Sequence, residues 1–131
     1  MTHSLSRDAQ ITWAYTYDVP SFHAFYGDTL QLSCVLERGG CRIYHLTGQA
    51  YLGICEAGGA RVVEPRGTLV TVVTDDVDAW YARLTEHGVE TDGPPCALPD
   101  YGIYAFFATG PDGYRFEFQR FDDDDWNKNR P

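Results

Sequence analysis

Long apolar runs are missing from this 131-residue chain, and so is most of the positive charge that proteins of nucleic acids and membrane surfaces use. No segment approaches the roughly 20 consecutive apolar residues of a membrane span, and the start, residues 1–10, is polar where a signal peptide would be apolar. The expectation is a cytoplasmic protein with no membrane partner. Ten Lys and Arg against nineteen Asp and Glu leave a formal net charge of −9, which repels phosphate backbones and anionic lipid. No nucleic-acid partner is expected, and a cationic small molecule or partner suits the charge better. The four cysteines, Cys34, Cys41, Cys55 and Cys96, lack C-x-x-C spacing and the density of a secreted scaffold. They are expected to be reduced and mostly buried. Gly-rich phosphate loops, nucleophile elbows and H-E-x-x-H are absent too.

What is present is apolar and aromatic residue in quantity, 44% and 15% of the chain, enough for one core and too short for two ordinary domains. Residues 1–9 show no periodicity and read as a loose arm. Residues 10–17 alternate as a strand, with Ile11, Trp13, Tyr15 and Tyr17 on one face and the smaller Thr12, Ala14 and Thr16 on the other, close beneath a helix. Asp18 suits an N-cap and Pro20 a first helical turn, so Phe22, Phe25, Tyr26 and Leu30 predict an amphipathic helix over residues 19–30. Short strands follow at residues 32–37, 41–46 and 50–55, broken by Gly39-Gly40 and Thr47-Gly48.

After a Gly-rich connector, residues 57–67, the pattern recurs. Residues 68–74 predict a strand, and Asp75 or Asp76 caps a helix whose stripe is Val77, Trp80, Tyr81 and Leu84 and whose end is Gly88. Residues 89–100 are Pro-rich, with one short strand at residues 96–98. The stretch that organises the second half is Gly110-Pro111-Asp112-Gly113, a turn that predicts a hairpin between residues 105–108 and 114–121. Beyond it Phe116 and Phe118 point toward a core under the helix, while Arg115, Glu117 and Gln119 point the other way. That second face fits a solvated surface, and a lone carboxylate at a strand centre also fits a ligand cup or metal site. Residues 122–125 read as part of a solvated acidic tail, residues 122–131.

The halves align at an offset of 58 residues, which lays Asp18 on Asp76, Phe22 on Trp80 and Ile11 on Leu69. The expected organisation is α+β, two βαβββ modules at residues 10–56 and 68–121 forming one domain, residues 10–121, whose curved mixed sheet makes a cup.

Asp18-Val19-Pro20-Ser21-Phe22, Thr29-Leu30, Asp75-Asp76-Val77-Asp78, Gly88-Val89, Tyr101-Gly102 and the Gly110 to Gly113 turn resemble the vicinal oxygen chelate superfamily. Glyoxalase I, extradiol dioxygenases, fosfomycin-modifying enzymes and bleomycin resistance proteins belong to it. The resemblance implies the paired-module cup and a homodimer. It also implies metal ligands on the first strand of each module and on the last. Carried onto this chain, the first-strand positions fall on Ile11 and Leu69, which cannot bind metal. The last-strand position is Glu117 in the second module and Gly53 or Cys55 in the first. One carboxylate falls short of the three or more protein ligands a divalent ion ordinarily takes, so no metal or other cofactor is expected.

Of the histidines, His3 lies in the arm, His23 and His87 on or beside helices, and His45 on a strand, where a partly buried ring with its own hydrogen bond is expected. Two functions compete. One is a metal-free protein that binds or sequesters an antibiotic-like aromatic or cationic small molecule in a cup walled by Trp13, Tyr15 and Tyr51, lidded by Tyr101 and floored by Glu117. The other is a divergent lyase, isomerase or dioxygenase with Glu117 as base, or with a divalent metal on a non-standard ligand set.

Overall fold

The structure, a computed structural model, describes residues 5–131. His3 and the first residues of the arm lie outside the described residues. The chain divides into two compact units, Met1–Glu64 and Pro65–Pro131.

In the first unit four strands, β1 (Gln10–Thr16), β2 (Ser33–Arg38), β3 (Cys41–Thr47) and β4 (Ala50–Glu56), form a sheet of order β1-β4-β3-β2. The first strand runs parallel to the last, with Ile11 opposite Tyr51, Trp13 opposite Gly53 and Tyr15 opposite Cys55. The alternation read from β1 holds in its second half, where Ala14 and Thr16 are buried, Trp13 and Tyr17 exposed and Tyr15 half-buried, but Thr12, expected on the inner face, is exposed. The buried face, with Tyr44, Leu52 and Ile54, belongs to the core that Phe22, Phe25, Tyr26 and Leu30 complete from the helical segment. Tyr26 meets Tyr44 edge-on at 5.3 Å between centroids.

That segment departs from the single helix expected over residues 19–30. Asp18 caps α1 (Val19–His23), its Oδ1 accepting from the Ser21 N–H at 3.1 Å, and this bonding with Ser21 holds the Asp18 carboxyl below its usual pKa. The chain then widens into a π-helical turn, Ala24–Thr29, closed by Leu30 N–H to Phe25 C=O at 2.9 Å. Five residues make about 1.4 α-helical turns, so a regular helix would swing Leu30 away from the face of Phe25, and the wider turn returns it to the core.

The second unit repeats the plan. Strand β5 (Val70–Val73) runs parallel to the last strand, β9 (Arg115–Phe121), which pairs antiparallel with β8 (Ile103–Thr109). The short strands β6 (Glu90–Thr91) and β7 (Cys96–Leu98) both pair with β8, so one strand position is filled by two pieces. Helix α2 (Val77–Glu86) buries Val77 and Leu84, lays Trp80 on Phe118 at 5.4 Å and sets Tyr81 edge-on to Phe106 at 5.3 Å. Gly88 ends it at φ +74°, a left-handed conformation that suits glycine. Asp76 stands at the N-cap without a side-chain capping bond. Its N–H instead donates to the Thr74 hydroxyl at 3.0 Å. The Pro-Asp-Gly turn forms with both Asp112 and Gly113 at positive φ, and Asp is among the few residue types that tolerate it.

The fold is α+β, two sheets of four and five strands with few helices. The acidic stretch after β9, residues 122–131, is exposed throughout; within it α3 (Asp125–Asn129) forms, and Trp126 stacks on Phe121 at 5.0 Å.

Candidate ligand-binding site

The outward face of the first sheet carries Ile11, Trp13 and Tyr15 from β1, Tyr51, Gly53 and Cys55 from β4, and Cys41, Ile43 and His45 from β3, all brought abreast by the strand registers. Trp13 lies flat on the Gly53 backbone: a Cβ built on Gly53 would fall 2.4 Å from Trp13 Cε3. Glycine is what lets the indole sit down on the sheet, and 43% of Trp13 remains exposed. Tyr15 and Tyr51 flank it, both half-buried. His45 is exposed rather than partly buried. Its Nε2 lies 2.9 Å from the Gly48 carbonyl oxygen and its ring tilts over Tyr51 at 5.3 Å.

In the second unit the corresponding face holds Glu117. It is not the solvated carboxylate that alternation alone favours, since only 6% of Glu117 and 8% of Gln119 are exposed. Strand pairing puts Thr71 on one side of Glu117 and Phe107 on the other, and the Thr71 hydroxyl donates to Glu117 Oε1 at 2.8 Å. Arg115, two residues back on that face, donates to Asp92 Oδ1 at 2.9 Å and to Thr109 Oγ1 at 2.8 Å. The Arg115 guanidinium holds the Asp92 carboxyl below its usual pKa. A buried carboxylate with a hydroxyl partner can accept a proton or receive a cationic group.

The two registers settle which first-unit residue matches Glu117. Trp13 and Thr71 stand 58 residues apart, Gly53 pairs with Trp13, and Glu117 pairs with Thr71. Gly53 is therefore the counterpart, and Cys55 lies two residues beyond it. Sequence reading missed the Gly53 seat and the Thr71 partner. The offset of 58 held the signal for Thr71, and the flat seating of an indole on a glycine left none.

The cysteine expectation is corrected. Cys41 and Cys55 form a disulfide, and Cys34 and Cys96 are exposed. Antiparallel pairing of β3 with β4 sets the first two directly opposite at 4.1 Å between Cα atoms, so residues 14 apart meet across a hairpin. Spacing rules built on C-x-x-C do not detect this. Tyr101, 75% exposed, stands on the turn before β8 beside Phe121 and Trp126, away from the register positions of Glu117. Trp13, Tyr15 and Tyr51 belong to one unit, and Tyr101 and Glu117 to the other.

With this geometry in view, a family model of the Glyoxalase/Bleomycin resistance protein/Dioxygenase superfamily matches residues 3–118. The chain belongs to this superfamily. Among solved structures, it is similar to a glyoxalase/bleomycin resistance protein/dioxygenase from Nocardioides, at 20% identity and TM-score 0.70 over 92% of this chain and 86% of that one. It is similar also to a lactoylglutathione lyase from Agrobacterium tumefaciens, at 21% identity and TM-score 0.69 over 86% of this chain and 92% of that one. An integron cassette protein from the mobile metagenome of V. cholerae matches at 18% identity and TM-score 0.70, over 92% and 99%. At these identities the likeness shows the fold. The search of curated proteins found no match.

The superfamily's metal ligands can be tested against the residues present. The first unit offers Ile11 and Gly53, one apolar and the other covered by an indole, and the second offers Leu69 and Glu117. One oxygen donor in four positions does not fit a resident divalent ion. Among the described residues no three of His, Cys, Asp and Glu gather as a metal group.

Proposed function

We propose that this superfamily member binds or sequesters a small molecule without a metal, and that the ligand is an antibiotic-like aromatic or cationic compound stacked on the Trp13 face. One observation carries the reading. At the strand position where the second unit keeps a carboxylate, the first has emptied the side chain and seated an indole, half-exposed, between two tyrosines. An aromatic wall of this kind supplies stacking and cation–π contacts of roughly 0.5–2 kcal/mol each. Among the described residues no helix is long and apolar enough to cross a membrane. We assign the protein to a homodimer, supported by β2, an edge strand whose Val35 and Leu36 are 53% and 41% exposed.

The burial of Glu117 favours a second reading, an enzyme of the lyase, isomerase or dioxygenase kind with Glu117 as base. Glu117→Gln separates the two. A protein that only binds on the Trp13 face has no turnover to lose in Glu117→Gln, whereas in an enzyme the substitution abolishes turnover and keeps binding. Turnover of any bound compound that disappears in Glu117→Gln refutes the binding-only reading.

A further inference from the structure

The second unit holds a cavity that the Trp13 face does not involve. It is an open groove of about 430 Å³ at the surface, lined by Tyr101, Phe121, Asp123, Asp125, Trp126, Asn129 and Arg130, all but Phe121 exposed. The sequence builds it from two pieces that are tied together. Asp122 N–H donates to the Gly102 carbonyl at 2.8 Å, and Asp123 Oδ2 lies 3.1 Å from where a Cβ on Gly102 would stand. The turn bearing Tyr101 is thus held against the segment that leads into α3. Phe121, the last residue of β9, stacks on Trp126 with planes 21° apart, which fixes the indole as a wall.

The lining combines three aromatic rings with two carboxylates. Among the described residues neither Asp123 nor Asp125 forms an ion pair. Arg120 is engaged elsewhere, with Asp122 and over the Tyr104 ring. The chain's own Arg130 places its guanidinium 5.5 Å from the Trp126 ring centroid, so the wall already takes a planar cation from inside the molecule. A neutral or anionic guest would gain the stacking and forgo the charge; a planar cation gains both in a chain of net charge −9.

We infer that this cavity is a binding site for a planar organic monocation, whose ring stacks between Tyr101 and Trp126 in place of the Arg130 guanidinium while its charge faces Asp123 and Asp125. The site is separate from the Trp13 face and stands or falls without it. The C-terminal acidic segment is then a ligand-binding element rather than a solubilising tail.

The test is a titration of the full chain with N-methylquinolinium and, in parallel, uncharged quinoline, following the Trp13 and Trp126 indole N–H signals by NMR. Saturable movement of the Trp126 signal by the cation is expected, with Trp126→Ala weakening binding about tenfold or more. The paired surface change Asp123→Asn with Asp125→Asn, which leaves the stacked rings in place, should weaken the cation about fivefold and quinoline less than about twofold. In Trp13→Ala the shift of the Trp126 signal should titrate with the same midpoint as in the parent protein. No saturation up to roughly 10 mM, or unchanged affinity in the paired Asp variant, overturns the site. Movement of the Trp13 signal alone, lost in Trp13→Ala, also overturns it and supports the Trp13 face as the ligand surface.

Discussion

Gly53 and Glu117 occupy equivalent strand positions and have opposite characters, and that difference sets what each sheet face can do. At Gly53 the absence of a side chain is used. A Gly53→Ala change must lift the Trp13 ring, and crowding a packed site of this kind costs typically about 1–3 kcal/mol. Urea denaturation should show that loss. In Trp13→Ala the same Gly53→Ala change should cost little, so the two substitutions will be strongly non-additive; additive costs would mean the indole does not rest on Gly53. At Glu117 the hydroxyl of Thr71 is the partner that a sequence reading could have named, because the offset of 58 lays Thr71 on Trp13. The burial of Glu117 could not be read the same way. Alternation tells which face a residue takes, and the layer above that face decides whether it meets water.

Elements were legible where the local signals were strong. The alternation in the second half of β1, the Pro-Asp-Gly turn and the left-handed glycine after α2 each appear at the expected residues, since propensity, pattern and turn chemistry agree there. The π-helical turn was not legible, because periodicity counting assumes a fixed 3.6-residue turn and core packing chose a wider one. Strand pairing, equally non-local, made the Cys41–Cys55 disulfide. Reducing it should lower stability by up to about 3 kcal/mol, the chain-entropy scale for a loop of this length, measured as a shift in urea midpoint with dithiothreitol. An unchanged midpoint would mean that the bridge adds nothing to the fold.

The Arg115–Asp92 pair joins the start of β9 to the segment after β6, and it gives a pH dependence of known sign. Asp92 has a folded pKa below its unfolded one, so its contribution is present above the ordinary carboxylate range and is lost as pH falls through the depressed folded value. Because the pair is half-exposed, solvent screening keeps the effect small. Asp92→Asn should flatten the acid limb of the stability profile and leave it unchanged in shape above pH ~5. An acid limb identical to that of the parent protein would remove the pair from the account.

At the scale of the whole molecule, the repeat was readable because both units place their first strand parallel to their last, and the shared order of apolar residues follows from that topology. Function was less readable, since one fold can carry many chemistries and the feature on which the proposed reading rests, an indole on a glycine, is a matter of packing. The exposed apolar residues of β2 predict a dimer, so sedimentation at micromolar concentration should show a species of twice 14.7 kDa, and a lone 14.7 kDa species would contradict it.

The proposed ligand stacks on the Trp13 face of the first sheet. The direct measurement is an NMR titration of the protein with cationic and neutral aromatic antibiotics, read at the Trp13 indole N–H and repeated on Trp13→Ala. Saturable movement of that signal by at least one compound is expected, with a loss of roughly 1–3 kcal/mol in binding when the indole is removed from a protein that still unfolds cooperatively. A compound that binds with equal affinity to Trp13→Ala, leaving the Trp13 signal of the parent protein unmoved, would contradict it.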